Sequence, residues 1–209
     1  MFAPRLRRAR ELTSQQGHPL FGACTLVRAF ESALDAAVEE ALTAAAAVRA
    51  ILVLGDNQPG NVMSAPGSGP VLNDFERVAV GPAAVDLAAL VLGLQHFGYP
   101  PAVVQEFLNG YGPGAPTLEQ ARPYARVREL SGAVIAMIQA GDSPEMEREM
   151  RVRAVAVTCP GAGQPWTFVG NPTAMTLAGV PGPQATAVAA PGARLGRRGR
   201  DRPDPGDPR

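Results

Sequence analysis

The sequence predicts an α+β domain that is mainly helical and carries a small β-hairpin. Apolar residues recur every three or four positions over residues 26–50, and alanine fills most of the rest, which is typical of a long helix. Short apolar runs at residues 51–54, 62–63 and 71–72 are bounded by turn-forming residues, which is typical of strands. The chain has 209 residues, of which 46% are hydrophobic, so it is long enough to bury a core.

Each predicted element has its own local signal. The run at 51–54 is apolar throughout and ends at a glycine, which favours a buried strand. Residues 62–63 and 71–72 flank the segment APGSGP, whose prolines and glycines predict a tight reversal and therefore a hairpin. Periodic apolar residues and capping signals, such as Thr117 with Gln120 and Ser143 before a proline, then predict four further helices. These helices are expected at residues 82–98, 101–110, 117–140 with a possible kink at Pro123, and 144–157.

Composition divides the chain into three parts. Residues 1–25 form a basic N-terminal segment that we expect to be solvated, and residues 26–158 form the folded domain. The last 51 residues, 159–209, contain nine prolines and nine glycines and several arginines, so they are expected to be disordered. Trp166 and Phe168 are expected to pack back on the domain as a short anchor.

The charged residues exclude several kinds of enzyme. All 19 basic residues are arginines, and without lysine the chain can form neither a Walker-type phosphate loop nor a Schiff base. Residues 11–190 carry nine arginines and sixteen acidic residues, a net charge of −7, which favours cations over nucleic acid as partners. The arginine-rich segment 194–202 has no interleaved aromatic residues and is interpreted as a solvated tail, so nucleic-acid binding is not expected.

Cysteine usage and hydropathy indicate a cytoplasmic protein. Cys24 and Cys159 lie far apart without a CxxC motif, which favours two reduced thiols over a zinc site or a disulfide. His18 and His96 are the two histidines, and His96 suits a structural position near the end of a helix. The chain has no apolar stretch of about 18 residues, so no membrane association is expected.

Four polar features follow one another along the predicted strands. Asp56 and Asn61 have the spacing D-x-x-x-x-N directly after the apolar run, and Asp74 with Glu76 follows the hairpin. Asp86 then lies near the start of a predicted helix. In phosphoryl transfer an aspartate accepts the proton of the acceptor hydroxyl, while an asparagine and a second aspartate hold magnesium against the phosphates.

Each of these features alone has a simpler explanation. The segment GDNQPGN is rich in turn-forming residues, and by itself an ordinary asx-type turn explains it better than catalysis does. The segment DFE by itself is no more than a charge pair at the end of a strand. Their combination in this order is much more specific.

In this combination the sequence resembles the aminoglycoside phosphotransferase and choline kinase-like family. The resembling segments are LGDNQPGNVM, VLNDFERVAVGP and AVDLAAL, within residues 50–92. The resemblance implies a protein-kinase-like C-terminal lobe, in which the hairpin carries the catalytic and metal loops. It implies that Asp56 is the catalytic base, that Asn61 and Asp74 are magnesium ligands, and that Asp86 braces the catalytic loop.

The sequence departs from the family pattern in two places. Leu54 stands where the family usually has a histidine before Gly55, and Gln58 replaces a second histidine. Both are expected to be supporting positions, and Gly55 and Glu76 are expected to support the site as well. About 25 residues precede the first long helix, with neither a glycine-rich loop nor a lysine to hold a nucleotide. We therefore expect the N-terminal lobe to be missing and the chain to be truncated.

Two functions follow from the resemblance. The first is an ATP- and Mg²⁺-dependent phosphotransferase that acts on a hydroxyl of a small molecule of the aminoglycoside or amino alcohol type. The second is a non-catalytic relic or interaction module, which would use its exposed apolar surface to bind a partner chain or a second copy of itself. RNA binding through the arginine-rich tail is a distant third.

Overall fold

The structure is a computed structural model that describes residues 2–63, 69–159 and 165–167. Within these residues the chain forms six α-helices and two antiparallel sheets of two strands each. The helices are α1 (Ala3–Leu12), α2 (Cys24–Ala46), α3 (Ala84–His96), α4 (Pro101–Tyr111), α5 (Leu118–Gln139) and α6 (Pro144–Thr158). The strands are β1 (Ala50–Val53), β2 (Val62–Met63), β3 (Val71–Leu72) and β4 (Ala79–Pro82), and a short 3₁₀ turn covers Pro59–Asn61.

Helix α5 is the centre of the helical body, because it packs against α1, α2, α3 and α6. Its side chains Leu130 and Met137 are fully buried and share one hydrophobic cluster with Phe30 and Leu34 of α2. Burying a side chain of this size contributes about 1.5–3 kcal/mol each. These contacts hold the helical body together.

The predicted starts of the last two helices are confirmed. At α5, Thr117 Oγ1 accepts from the backbone N–H of Gln120 at 3.2 Å, and Gln120 Oε1 accepts from the N–H of Thr117 at 2.8 Å. At α6, Ser143 Oγ accepts from the N–H of Met146 at 3.2 Å. Helix α5 continues through Pro123.

The N-terminal segment is part of the fold, so the expectation that it is solvated is wrong. Leu6, Ala9 and Leu12 of α1 are buried, and so is Leu20 in the turn that follows. Three of these, Leu6, Leu12 and Leu20, belong to the same hydrophobic cluster as α5. The basic composition of this segment conceals the apolar stripe, because Arg7, Arg8 and Arg10 are exposed on the other face of α1.

A second hydrophobic cluster fixes α3. It joins Leu87 and Val91 of α3 to Val104 of α4 and to Ala121 and Ala125 at the start of α5. Leu87 and Ala121 have no exposed surface. The cluster therefore holds the N-terminal end of α3 in place relative to α5.

The strand at residues 51–54 is exposed, so the prediction of a buried strand is wrong. β1 pairs with β4, a strand that the sequence did not predict, and Leu52 lies opposite Val80 in the register. Directly opposite residues share one face of a sheet. Leu52 is 71% exposed and Val80 75% exposed, whereas Val53 on the other face is buried. A sheet of two strands with one packed face leaves its other face in water.

Pairing of β1 with β4 also shifts two predicted helix boundaries. Helix α2 ends at Ala46, because Ala50 already belongs to β1. Helix α3 begins at Ala84 and not at Pro82, because Pro82 pairs with Ala50 at the end of β4.

The predicted hairpin is confirmed. β2 pairs with β3 in antiparallel register, with Val62 opposite Leu72 and Met63 opposite Val71. Part of the connecting segment, residues 64–68, lies outside the described residues.

The expected packing of Trp166 on the domain is confirmed. Its ring stacks on the ring of His96 with centroids 4.1 Å apart, and its backbone N–H donates to the His96 carbonyl at 2.7 Å. The guanidinium of Arg153 lies 4.8 Å from the same ring. The next residue, Thr167, donates its N–H to both carboxylate oxygens of Glu149 at 3.0 Å. Trp166 and Thr167 thus connect the C-terminal end of α3 with α6.

Phe168 and residues 169–209 lie outside the described residues, so the predictions for the tail stay predictions.

Among the helices that the structure describes, none is long and apolar enough to cross a membrane. Cys24 and Cys159 form no disulfide with each other in this structure.

His96 also connects α3 to α5 through a buried carboxylate. Its Nε2 lies 2.8 Å from Glu129 Oε1, and Arg126 pairs with the other carboxylate oxygen. Burial by itself raises the pKa of Glu129, but the hydrogen bonds and charges of His96 and Arg126 outweigh burial and hold that pKa below its ordinary value of 4.5. The ionised carboxylate is therefore the form that stabilises the fold.

Replacing Glu129→Gln should lower the free energy of unfolding by about 1.5–3 kcal/mol at pH 7, the range for hydrogen bonds to charged groups. Because the pKa of Glu129 is lowered in the folded state, its contribution is present above pH 4.5 and is lost as the pH falls through the lowered value. The difference between wild type and variant, measured by urea denaturation at several pH values, should therefore shrink below pH 4.5. Glu119→Gln, at an exposed position of the same helix, should change stability by less than about 0.5 kcal/mol. An equal effect at both positions, or a difference that is independent of pH, would contradict this assignment.

Candidate functional site

The loop at residues 54–61 connects β1 to β2 and is fixed to α3 by one carboxylate. Asp86 Oδ2 accepts from the N–H of Leu54 at 3.1 Å, and Asp86 Oδ1 accepts from the N–H of Gly55 at 2.8 Å. Asp86 lies in the first turn of α3, where the helix dipole favours a negative charge, and is only 8% exposed. A buried carboxylate needs such partners, so the contact ties the loop to the helical body.

Gly55 is required by the backbone at this point. Its φ is +71°, in the left-handed region that glycine adopts without strain. A Cβ atom there would lie 2.4 Å from the backbone carbonyl oxygen of Arg77. Where β1 ends and the loop begins, the backbone at Gly55 therefore lies directly against the backbone of Arg77, just before β4.

Asp56 and Asn61 are brought together by the turn between them. Asn61 Nδ2 donates to the carbonyl oxygen of Asp56 at 2.9 Å, and the same oxygen accepts from the N–H of Gln58 at 2.9 Å. The N–H of Asn61 donates to the carbonyl of Gln58 at 2.9 Å. The loop is thus closed by backbone hydrogen bonds and by the Asn61 side chain, which donates to a backbone carbonyl, whereas in an asx-type turn it would accept a backbone N–H.

The pairing of β2 with β3 brings the segment that contains Asp74 next to the end of this loop. The N–H of Asn73 donates to the carbonyl of Asn61 at 2.7 Å, directly beyond the paired residues Val62 and Leu72. Asp74 is the next residue, is exposed, and has a φ of +63°. Aspartate is one of the few residues other than glycine that adopts this conformation readily.

The other predicted supporting residues make fewer contacts. Glu76 is exposed, and the structure gives its side chain no polar partner among the described residues. Gln58 is half-buried and contributes to the loop through its backbone. Leu54, which stands where the resemblance expects a histidine, is half-buried and contacts Asp86 through its N–H.

Two arginines contact the Asp56 carboxylate, and the sequence predicted neither contact. Arg128 of α5 pairs with Asp56 Oδ1, and its Nη1 donates to the carbonyl of Gly55 at 3.3 Å. Arg77 Nε lies 3.6 Å from Asp56 Oδ2. The Asp56 side chain is 11% exposed. Arg77 follows the DFE segment directly, but no pattern in the sequence connects Arg128 with a loop 72 residues away.

The chemistry of the predicted metal ligands fits magnesium. Mg²⁺ prefers carboxylate and carbonyl oxygens and usually retains several water molecules beside one or two protein ligands. Asn61 uses its amide nitrogen on Asp56, which leaves its amide oxygen as an acceptor, and the Asp74 carboxylate is exposed. Among the described residues no three His, Cys, Asp or Glu side chains are grouped so that they could hold a metal by themselves.

Comparison with known proteins decides the family. The model of the phosphotransferase enzyme family, which includes the aminoglycoside phosphotransferases, matches residues 2–124. The chain belongs to this family. No curated protein and no solved structure matches the chain.

The family match covers more of the chain than the segments that carry the resemblance. It begins in the segment of α1, includes all four strands, and ends within the first turns of α5. Asp56, Asn61, Asp74 and Asp86 lie inside it, whereas Arg128 lies beyond it.

Replacing Asp86→Asn should weaken the contact between the loop and α3. An amide has one acceptor oxygen where the carboxylate has two, so the N–H of Leu54 or of Gly55 would lose its partner. The expected cost is about 1–3 kcal/mol in the free energy of unfolding, with faster hydrogen exchange at these two amides. Urea denaturation and amide exchange followed by NMR would measure both. Asp35→Asn, at an exposed position of α2, is the matched control, and equal exchange rates in wild type and Asp86→Asn would refute the bracing role.

Proposed function

We propose that this protein transfers a phosphoryl group from ATP, with Mg²⁺, to a hydroxyl of a small molecule of the aminoglycoside or amino alcohol type. Its membership of the phosphotransferase enzyme family supports the reaction class. The observation that carries the proposal for this chain is the hydrogen bond from Asn73 to Asn61, because it joins the loop of Asp56 to the segment of Asp74. The three residue types that phosphoryl transfer uses are thus held in one region.

Asp56 would accept the proton of the acceptor hydroxyl. Its backbone is fixed on two sides, since Asn61 and Gln58 both donate to its carbonyl oxygen and Asp86 holds the residue before it. A base that is held in place avoids the cost of ordering during the reaction. Asn61 and Asp74 would hold magnesium, which supplies charge neutralisation for the phosphate oxygens when it is bound.

The overall architecture is consistent with this function. The helical body with one hairpin at its edge supports the assignment of a protein-kinase-like C-terminal lobe. The net charge of −7 over residues 11–190 favours acceptors that carry amino groups. The free thiols Cys24 and Cys159 suit the reducing cytoplasm, where we propose that the protein acts.

The test is phosphoryl transfer measured as ADP release from magnesium–ATP in the presence of a panel of aminoglycosides and amino alcohols. Asp56→Asn should lower kcat by about 10²–10⁴-fold, because it removes the proton acceptor. Asp74→Asn should weaken the response to magnesium, and Asp35→Asn, at an exposed position of α2, should leave transfer unchanged. Acceptor-independent ADP release, or full activity in Asp56→Asn, would refute the proposal.

A second candidate function is an interaction module that associates with a second copy of this chain. The outer face of the β1–β4 sheet, with Leu52 opposite Val80, supports it, because both side chains are mostly exposed. Exposed charges of both signs neighbour this face in the chain, Arg49 before β1 and Glu76 before β4. Such a mixture is self-complementary when two copies meet about a two-fold axis.

Sedimentation velocity tests this second function. The wild type should form dimers at micromolar concentration, and the double variant Leu52→Thr, Val80→Thr should remain monomeric because its outer sheet face is no longer apolar. Val155→Thr replaces an exposed valine of α6 and should dimerise as the wild type does. A wild type that is monomeric up to 100-fold higher concentration, on the order of 100 μM, would exclude self-association as its function.

A further inference from the structure

The carboxylate of Asp56 faces a positive charge at each of its two oxygens. Arg128 of α5 pairs with Oδ1, and Arg77, from the segment before β4, lies 3.6 Å from Oδ2. The two arginines come from different parts of the fold and meet at the loop of the proposed base. Their positions place two cations beside one carboxylate.

The charges at this point do not cancel. Two guanidinium groups face one carboxylate, which leaves one positive charge beside the Asp56 side chain. Arg128 is 24% exposed and Asp56 is 11% exposed, so water screens their interaction only in part. Asp74 lies on the hairpin side of the loop, is exposed, and is the proposed magnesium ligand.

A purely structural ion pair would need only one of the two arginines. Arg128 makes a complete contact, because it binds both the Asp56 carboxylate and the Gly55 carbonyl. Arg77 does not, since 3.6 Å is longer than a hydrogen bond and its side chain is 39% exposed. Exposed pairs of this kind contribute little stability, so a gain in stability does not explain why the Arg77 side chain is directed at Asp56.

Both guanidinium groups retain unused hydrogen-bond donors. A guanidinium has five N–H donors, and the contacts of Arg128 to Asp56 and Gly55 use only part of them. Arg77 can turn its exposed end without losing a hydrogen bond. Planar guanidinium groups bind the oxygens of phosphate in pairs, which a single point charge cannot do.

We propose that Arg128 and Arg77 form an anion-binding subsite that takes the phosphoryl group being transferred. The identity of this ligand rests on the proposed function. In that reaction the acceptor oxygen forms a bond to phosphorus, the bond from phosphorus to the ADP oxygen breaks, and the hydroxyl proton passes to Asp56. Arg128 holds Asp56 while both arginines neutralise charge on the phosphoryl oxygens. In a chain that has no lysine, arginine is the residue that can supply this charge.

The subsite can be tested without catalysis. The probe is sodium tripolyphosphate, titrated by calorimetry into the full chain in EDTA at constant ionic strength, so that magnesium plays no part. Arg128→Gln and Arg77→Gln should each weaken binding at least about tenfold, the effect of losing one hydrogen bond to a charged group. Arg122→Gln removes an exposed arginine of the same helix, paired with Glu119, and should leave binding unchanged.

Two further variants separate folding from binding. Arg77 is exposed, so Arg77→Gln should keep the melting temperature of the wild type and remain informative if Arg128→Gln unfolds. Arg128→Lys retains the charge but not the planar pair of donors, and it should recover only part of the affinity. Equal affinity in the wild type, Arg77→Gln and Arg128→Gln would overturn the proposal, and so would an equal loss in Arg122→Gln.

Failure of this subsite and failure of the proposed function give different results. Binding that depends on Arg77 and Arg128, in a protein that transfers no phosphoryl group, would support the subsite and refute the phosphotransferase. Transfer that depends on Asp56 but proceeds at the wild-type rate in Arg77→Gln would refute the subsite and support the phosphotransferase. A parallel loss of anion affinity and of kcat in Arg77→Gln would support both.

Discussion

The candidate site depends on one buried carboxylate. Asp86 accepts the N–H groups of Leu54 and Gly55, and this contact joins the exposed strands to the helical body. α3 is itself held by the cluster of Leu87, Val91 and Val104, so the carboxylate rests on a rigid support. Because a buried charge without partners costs several kcal/mol, the loop and the helix are tied to one arrangement. Asp56, the residue after Gly55, therefore has a fixed position although it lies in a loop.

Arginine replaces lysine throughout this protein, and at the loop of Asp56 the replacement has a structural consequence. A lysine would present one compact charge, whereas the guanidinium of Arg128 reaches both the Asp56 carboxylate and the Gly55 carbonyl. The same planar group can hold α5 to the loop and still offer donors to an anion. Holding the proposed base and binding an anion are thus compatible in one side chain.

The two sheets contribute little to the core, and their role is to carry loops. Leu52 and Val80 are exposed, and of β1 only Val53 is buried. The hairpin of β2 and β3 consists of two residue pairs, yet its register brings Asn61 next to Asn73. The helices supply the stability, because the fully buried large side chains lie in helices or, for Leu20, in the turn after α1. The exposed apolar face of the β1–β4 sheet is the feature on which the proposed association with a second copy rests.

The sequence by itself determined the local features and the family. The caps at Thr117 and Ser143, the hairpin and the spacing of Asp56 and Asn61 depend on residues close in the chain, and such signals survive any tertiary arrangement. Only the tertiary structure decided the rest. Three features of the fold join segments far apart in sequence: the packing of α1 on α5, the pairing of β1 with β4, and the contact of Arg128 with Asp56. The exposure of β1 likewise depends on which of its faces packs against the rest of the fold. Such contacts are set by which faces meet in the packed fold, and neither composition nor periodicity records that.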